Sequence, residues 1–267
     1  MVSFRPVDLR NFSDEASLFF TIARQWRNPL VFLDTEFPGT IYAPTKPYST
    51  LSLAERYALL KKNADELRLI QVGITLSHPS TEKKIAITWQ FEIRDFDLRC
   101  HPFDPDSIHL LRSSGIVLER TRRLGIPSTW LAGLLVDAGL VGCRSRATWV
   151  AFHGCYDFAI LFKSLLQMTV KLPATLDMFT AWARRLFGSK LYDLKCLAKS
   201  CRLHGGLEKV AMQVKAERAV GAKHHAGSDS RLACEVFLKI KETYFFGNGD
   251  DVGDEVKLPC EGVLSGF

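Results

Sequence analysis

The residues best placed to do chemistry are two carboxylates one residue apart, Asp34 and Glu36, which close the apolar run Val31-Phe32-Leu33 just before Pro38-Gly39 turns the chain. Val, Phe and Leu in succession read as a buried strand, and Pro-Gly as its stop. Side chains alternate along a strand, so Asp34 and Glu36 point to one face. Acids that close repel one another and raise each other's pKa unless positive charge sits between them, and a divalent cation is the simplest candidate. The plainer reading is a strand that ends at the surface with two solvated acids. Asp-x-Glu by itself does not decide between the two.

Two further acids occur where an element begins. His153-Gly154-Cys155-Tyr156-Asp157 follows a strand-like stretch and opens a helix, and His224-His225-Ala226-Gly227-Ser228-Asp229-Ser230 puts Asp229 in the first turn of the last helix, with His224 upstream. An acid in a first helical turn is also favoured by the helix dipole, so each pattern has a structural explanation when taken alone.

These residues need elements to hold them. Apolar residues at helical spacing predict a helix over Asp14–Trp26, capped by Ser13 and packed on the Val31–Glu36 strand, and a second over about Leu51–Glu66, capped by Thr50. The runs Leu67–Leu76 and Lys84–Ile93 read as a hairpin beside the first strand, with His78-Pro79-Ser80 in its loop. Helical pattern fills Pro105–Ala138, broken at Gly115, at Gly125-Ile126-Pro127 and at Gly139. A short strand at Thr148–Phe152 precedes a helix at Tyr156–Leu166. Helices follow over Leu172–Phe187, Tyr192–Ser200 and about Ser228–Phe245, and Gly247–Phe267 reads as loop. The expectation is one α/β domain, a hairpin and further strands in a mixed sheet covered by helices.

Composition narrows the class. The chain has 267 residues, 47% hydrophobic and 24% charged, which is ordinary for a globular protein able to bury a sizeable core. No apolar run reaches the length of a membrane span and no secretory leader is legible, so the cytosol or nucleus is the expected setting. Seven scattered cysteines with no Cys-x-x-Cys pair argue against a disulfide framework or a zinc module and read as reduced thiols, mostly in the core. The net charge of +6 permits an acidic partner such as nucleic acid without requiring one.

Together, Asp34, Glu36, Asp157 and Asp229, with His224, stand in the order and contexts of the DEDDh exonuclease superfamily, to which RNase D and the proofreading nucleases belong. The likeness narrows further. Asp34-Thr35-Glu36-Phe37-Pro38-Gly39, Thr88-Trp89-Gln90-Phe91, Asp106-Ser107-Ile108 with Ser114-Gly115-Ile116, Phe152-His153 with Tyr156-Asp157-Phe158, Tyr192-Asp193, Gly205-Gly206-Leu207 and Ala226-Gly227-Ser228-Asp229-Ser230 resemble the deadenylase subunit of the CCR-NOT complex, the CCR-associated factor or POP family. It departs at His225, where that family usually has Gln, and at Gly154-Cys155, where Ser-Gly is usual.

The resemblance implies an RNase H-like, RNase D-like α/β fold, with one exonuclease domain over residues 1–267, its core at about 10–245 and a flexible C-terminal tail. It implies a 3′→5′ exoribonuclease that removes mRNA poly(A) tails with two divalent ions, Mg²⁺ or Mn²⁺. Asp34, Glu36 and Asp229 would hold one ion and Asp34 with Asp157 the other, while His224 takes the proton from the attacking water. Phe37, Phe158 and His153 would contact substrate, with core packing as the competing use of Phe158. Implied partners are the poly(A) tail, the CCR-NOT scaffold and companion deadenylase subunits, in cytoplasm and nucleus. The alternatives are the same chemistry on other RNA or single-stranded DNA 3′ ends, and an inactive scaffold or RNA-binding adaptor.

Overall fold

The computed structural model describes residues 3–78, 85–166, 170–188, 190–245 and 258–262. In chain order its elements are β1 (Ser3–Val7), α1 (Phe12–Gln25), β2 (Leu30–Glu36), α2 (Leu53–Glu66), β3 (Gln71–Ser77), β4 (Ala86–Glu92), α3 (Pro105–Ser113), α4 (Leu118–Leu124), α5 (Ser128–Asp137), β5 (Thr148–Ala151), α6 (Cys155–Leu165), α7 (Leu176–Phe187), β6 (Leu191–Asp193), α8 (Leu194–Ser200), α9 (Leu207–Gln213) and α10 (Ala226–Ile240). The strands form one mixed sheet in the order β1-β4-β3-β2-β5-β6. β3 and β4 make the expected hairpin beside β2, and β5 lies parallel to β2 on its other side.

β2 sits in the middle of the sheet because nearly every residue in it can be buried. Val31 and Leu33 face a core shared with α6, α7 and the sheet's large rings, including Trp89 and Trp149. Leu30 and Phe32 face the opposite core, with α8, α9 and α10. Phe32 meets Phe237 of α10 edge-on at 5.5 Å, and truncating a buried ring of this kind costs about 3–5 kcal/mol. Directly opposed residues of paired strands share a face, so the rows Asp34–Gly73–Gln90 and Glu36–Gln71–Glu92 lie under the start of α10. That helix can come so close because of Gly73 on the sheet and Gly227 on the helix, whose Cβ would stand 2.7 Å from that of Gln90. A Cβ at Gly73 would stand 1.9 Å from the Ala226 carbonyl oxygen.

The structure differs from the sequence reading in identifiable places. β1 is an addition to it: this strand pairs parallel with β4 at the sheet edge, and its short, half-polar run Ser3-Phe4-Arg5-Pro6-Val7 carries no alternation that marks a strand. α1 begins at Phe12 after Asn11, with no side-chain cap, so Ser13 lies inside the helix, and Phe19 packs on Trp89 and Phe91 of β4 at 5.0 and 6.1 Å. Ser52, not Thr50, caps α2, because Glu55 three residues on completes a reciprocal capping box with it. Leu67, Leu69 and Ile70 are buried yet precede β3.

Thr175 caps α7, which starts four residues later than expected. Tyr192 belongs to β6 and not to a helix, and α9 fills the stretch after Gly205-Gly206. α10 starts two residues early, at Ala226. All seven cysteines are free, as expected, but only Cys155 and Cys234 are buried. Pro79 and Ser80 of the hairpin loop, and most of the stretch from Gly247, lie outside the described residues.

Candidate active site

β2 delivers its acids at its C-terminal tip, where both faces of the strand are within reach of a helix N-terminus. Asp34 and Glu36 project toward α10, with Thr35 turned to the α6 side. Thr35 Oγ1 donates a 2.7 Å hydrogen bond to Asp157 Oδ1, so the first turn of α6 is tied to the strand between the two acids. The turn ahead of α6 is held by Asp193, whose carboxylate accepts from the backbone N–H of His153 (3.0 Å), Gly154 (3.1 Å) and Lys195 (2.9 Å).

On the other side, Asp229 lies in the first turn of α10, where the dipole favours an anion. Its Oδ2 accepts from the His224 backbone N–H at 3.0 Å, and its other oxygen accepts from the Arg218 guanidinium, which also binds Glu208 and the Ser228 hydroxyl. Ligand atoms of Glu36, His224 and Asp229 lie within 4.8 Å of one another. His224 itself is exposed and has a left-handed backbone, φ 59°.

Burial first, and then the charges of Asp157, Asp229 and Glu36, push the Asp34 carboxyl well above the usual range, with Arg218 opposing. Glu36 is pushed up to about 8 by burial and by Asp229 and Asp157. Asp157 rises to about 6 from burial, moderated by the Thr35 hydrogen bond. Four acids therefore feel one another, and Arg218 is the cation in direct contact with them among the described residues. Hard oxygen donors crowded into a half-buried, under-neutralised cluster fit a divalent cation.

Asp34, Glu36, Asp157, Asp229 and His224 are thus brought together from β2, α6 and the start of α10. Phe37 stays at the rim, half-buried, its ring 5.7 Å from that of Tyr156. Phe158 does not reach substrate: it is 0% exposed and packs against Phe187 at 5.2 Å and Trp149 at 6.4 Å, because the inner side of α6 belongs to the core. His153 is exposed in the turn before α6. Sequence reasoning assigned no role to Thr35, Asp193 or Arg218. Thr35 could have been found from alternation, since the residue between two acids must face the opposite helix; Arg218 has no spacing signal.

Comparison with known proteins agrees with this geometry. No protein-family profile matches the chain. It is 38% identical over 255 residues to the probable CCR4-associated factor 1 homolog 7 of Arabidopsis thaliana, spanning 92% of this chain and 90% of that one. It is 35% identical over 248 residues to the poly(A) ribonuclease pop2 of Schizosaccharomyces pombe, spanning 92% and 71%. Among solved structures, the Mg²⁺- and Mn²⁺-bound form of S. pombe Pop2p superposes with a TM-score of 0.81 at 35% identity, over 92% of this chain and 95% of that one. A chain of the structure of a yeast NOT1 MIF4G domain co-crystallised with CAF1 gives a TM-score of 0.72 at 24% identity, over 90% of this chain and 88% of that one, which speaks to the fold alone.

Proposed function

The chain belongs to the CCR4-associated factor 1/Pop2 family, and from that premise we propose that it is a divalent-metal-dependent 3′→5′ exoribonuclease that shortens the poly(A) tails of mRNA. The observation that carries the chemistry is the convergence of Asp34, Glu36, Asp157 and Asp229 with His224 from three separate elements. The S. pombe relative is named a poly(A) ribonuclease and has been seen with Mg²⁺ and Mn²⁺ bound, which supports both the substrate and the metal.

Asp34, Glu36 and Asp229 would hold one ion and Asp34 with Asp157 a second. Two divalent cations bound side by side supply positive charge to the attacking and leaving oxygens of a phosphodiester. The chain's own groups do the rest. A ring nitrogen of His224, exposed beside Glu36 and Asp229, accepts the proton of the attacking water, a contribution of ~10²–10⁴-fold for a well-placed base. Asp229 holds that loop through the His224 backbone N–H, and Thr35 and Asp193 hold Asp157 and its turn in place. Phe37 offers a ring at the rim on which a terminal base can stack.

The name of the Arabidopsis relative, a CCR4-associated factor, supports work within a CCR-NOT-like assembly. The proposed setting is cytoplasm and nucleus, the compartments in which such a substrate occurs. The test is a time course on 5′-labelled oligo(A) RNA, oligo(U) RNA and oligo(dA), with and without EDTA. A ladder that descends on oligo(A) only, and stops with EDTA, is expected. Equal ladders on all three would reject poly(A) preference and leave a general exonuclease; no ladder on any of them with Mg²⁺ or Mn²⁺ would make the chain an adaptor.

A further inference from the structure

Glu92 takes no part in the chemistry above, yet it organises the floor on which the catalytic helix begins. It shares a row with Gln71 and Glu36 across β4, β3 and β2. Its Oε1 accepts from Gln71 Nε2 at 2.8 Å and from Gln90 Nε2 at 3.2 Å, and its Oε2 from Thr121 Oγ1 at 2.9 Å. The pattern has a chemical consequence. A carboxylate only accepts, so each glutamine must turn its NH₂ toward Glu92 and its oxygen the other way. Those oxygens then meet the first N–H groups of α10: Gln71 Oε1 accepts from Ala226 at 3.4 Å and Gln90 Oε1 from Gly227 at 3.3 Å. The opening N–H groups of a helix have no partner within it, and His225, the N-cap residue, supplies no side-chain cap.

We propose that Glu92 is a positioning residue for the metal-binding acids: by fixing the orientation of both glutamine amides it holds the N-terminus of α10, and with it Asp229, over β2. The alternative, that Glu92 only ties α4 to the sheet, predicts different behaviour. Gln71, Gln90, Glu92 and His225 also line a cavity of about 630 Å³. Without Glu92 the two amides are therefore free to turn toward that space and leave Ala226 and Gly227 uncapped.

The inference rests on the proposed metal-dependent nuclease, and the experiment separates the two. Mn²⁺ binding to the purified protein is measured through the loss of the free-ion EPR signal, together with melting temperature and kcat and KM on oligo(A). Glu92→Met, which fills the same length with only a weak thioether acceptor, is expected to weaken Mn²⁺ binding and lower kcat by about tenfold, the low end for partners that orient metal ligands, with KM little changed. Glu92→Gln keeps an acceptor for both amide groups and a donor for Thr121, and is expected to recover most of that loss.

If wild type neither binds Mn²⁺ nor degrades RNA, the nuclease reading fails. If wild type does both and Glu92→Met binds Mn²⁺ equally well, only the positioning role is overturned. That role is overturned too if Glu92→Gln loses as much as Glu92→Met, since orientation of the amides would then not be the cause. Should Glu92→Met fail to fold, Gln90→Met decides in the same assay, because it removes the Gly227 cap directly: several-fold weaker Mn²⁺ binding supports the proposal and unchanged binding overturns it.

Discussion

Thr35 and Asp157, 122 residues apart in the chain, are joined by a 2.7 Å hydrogen bond from the threonine hydroxyl to the carboxylate. The bond crosses from the strand that carries two of the acids to the helix that carries a third. It also favours the ionised form of Asp157 against the pull of burial. Thr35→Val keeps the shape and removes the donor. The carboxylate keeps its backbone N–H donors from Thr35 and Asp157, so the loss is that of one hydrogen bond to a charged group, about 1.5–3 kcal/mol, and Asp157 should become harder to ionise and less well aimed. The expected result is a drop in kcat of about 10–100-fold with a melting temperature lower by a few degrees. Unchanged kcat would mean that the backbone N–H groups of Thr35 and of its own helix are enough to position Asp157.

In the metal-free protein, stability should fall as pH rises from about 4.5 to 8. Glu36 is raised to about 8 and Asp157 to about 6, with Asp34 raised as well. Between the ordinary carboxylate pKa and these values the folded state keeps protons that the unfolded state has lost. Stability from such raised acids is complete below the unfolded pKa and is lost as pH climbs through the folded one. The melting temperature in EDTA should drop by about 5 °C or more over that interval, and saturating Mg²⁺ should abolish the drop. Equal melting temperatures at both pH values in EDTA would show that the acids are not crowded.

Asp34 bears the charge of all three other acids. Asp34→Ala should abolish hydrolysis while raising the metal-free melting temperature at pH 8, because removing one crowded acid relieves repulsion. Near-wild-type activity would remove Asp34 from the metal site, and loss of folding by circular dichroism would make it structural.

The two neighbouring histidines should separate cleanly. His224 is exposed beside Glu36 and Asp229, whereas a ring nitrogen of His225 lies 2.8 Å from the Ser114 carbonyl oxygen. His224→Ala should cut kcat by ~10²–10⁴-fold, the loss of a general base. His225→Gln keeps an N–H that can reach Ser114 and should change kcat by no more than about threefold. The reverse ranking would move the base to His225.

How much of this was legible in the sequence follows from the range of each interaction. The acids on β2, the placement of Asp157 and Asp229 in first turns, and the hairpin beside β2 are local matters of periodicity and punctuation, so the chain declares them in order. The same locality misled at Thr50 and Ser13, where the cap was settled by a partner three residues on or absent altogether. Phe158 looked like a substrate contact because it adjoins Asp157, yet successive residues on a helix point in different directions, and its direction is into the core. Only the tertiary structure could decide what lies far apart in the chain. Thr35 meets Asp157, Arg218 meets Asp229, and Glu92 reaches Ala226 and Gly227 through two glutamines, none with a periodic signature. The last of these depends on α10 lying against the sheet at Gly73, where that glycine on the strand and Gly227 on the helix let a helix N-terminus settle beside the first two acids.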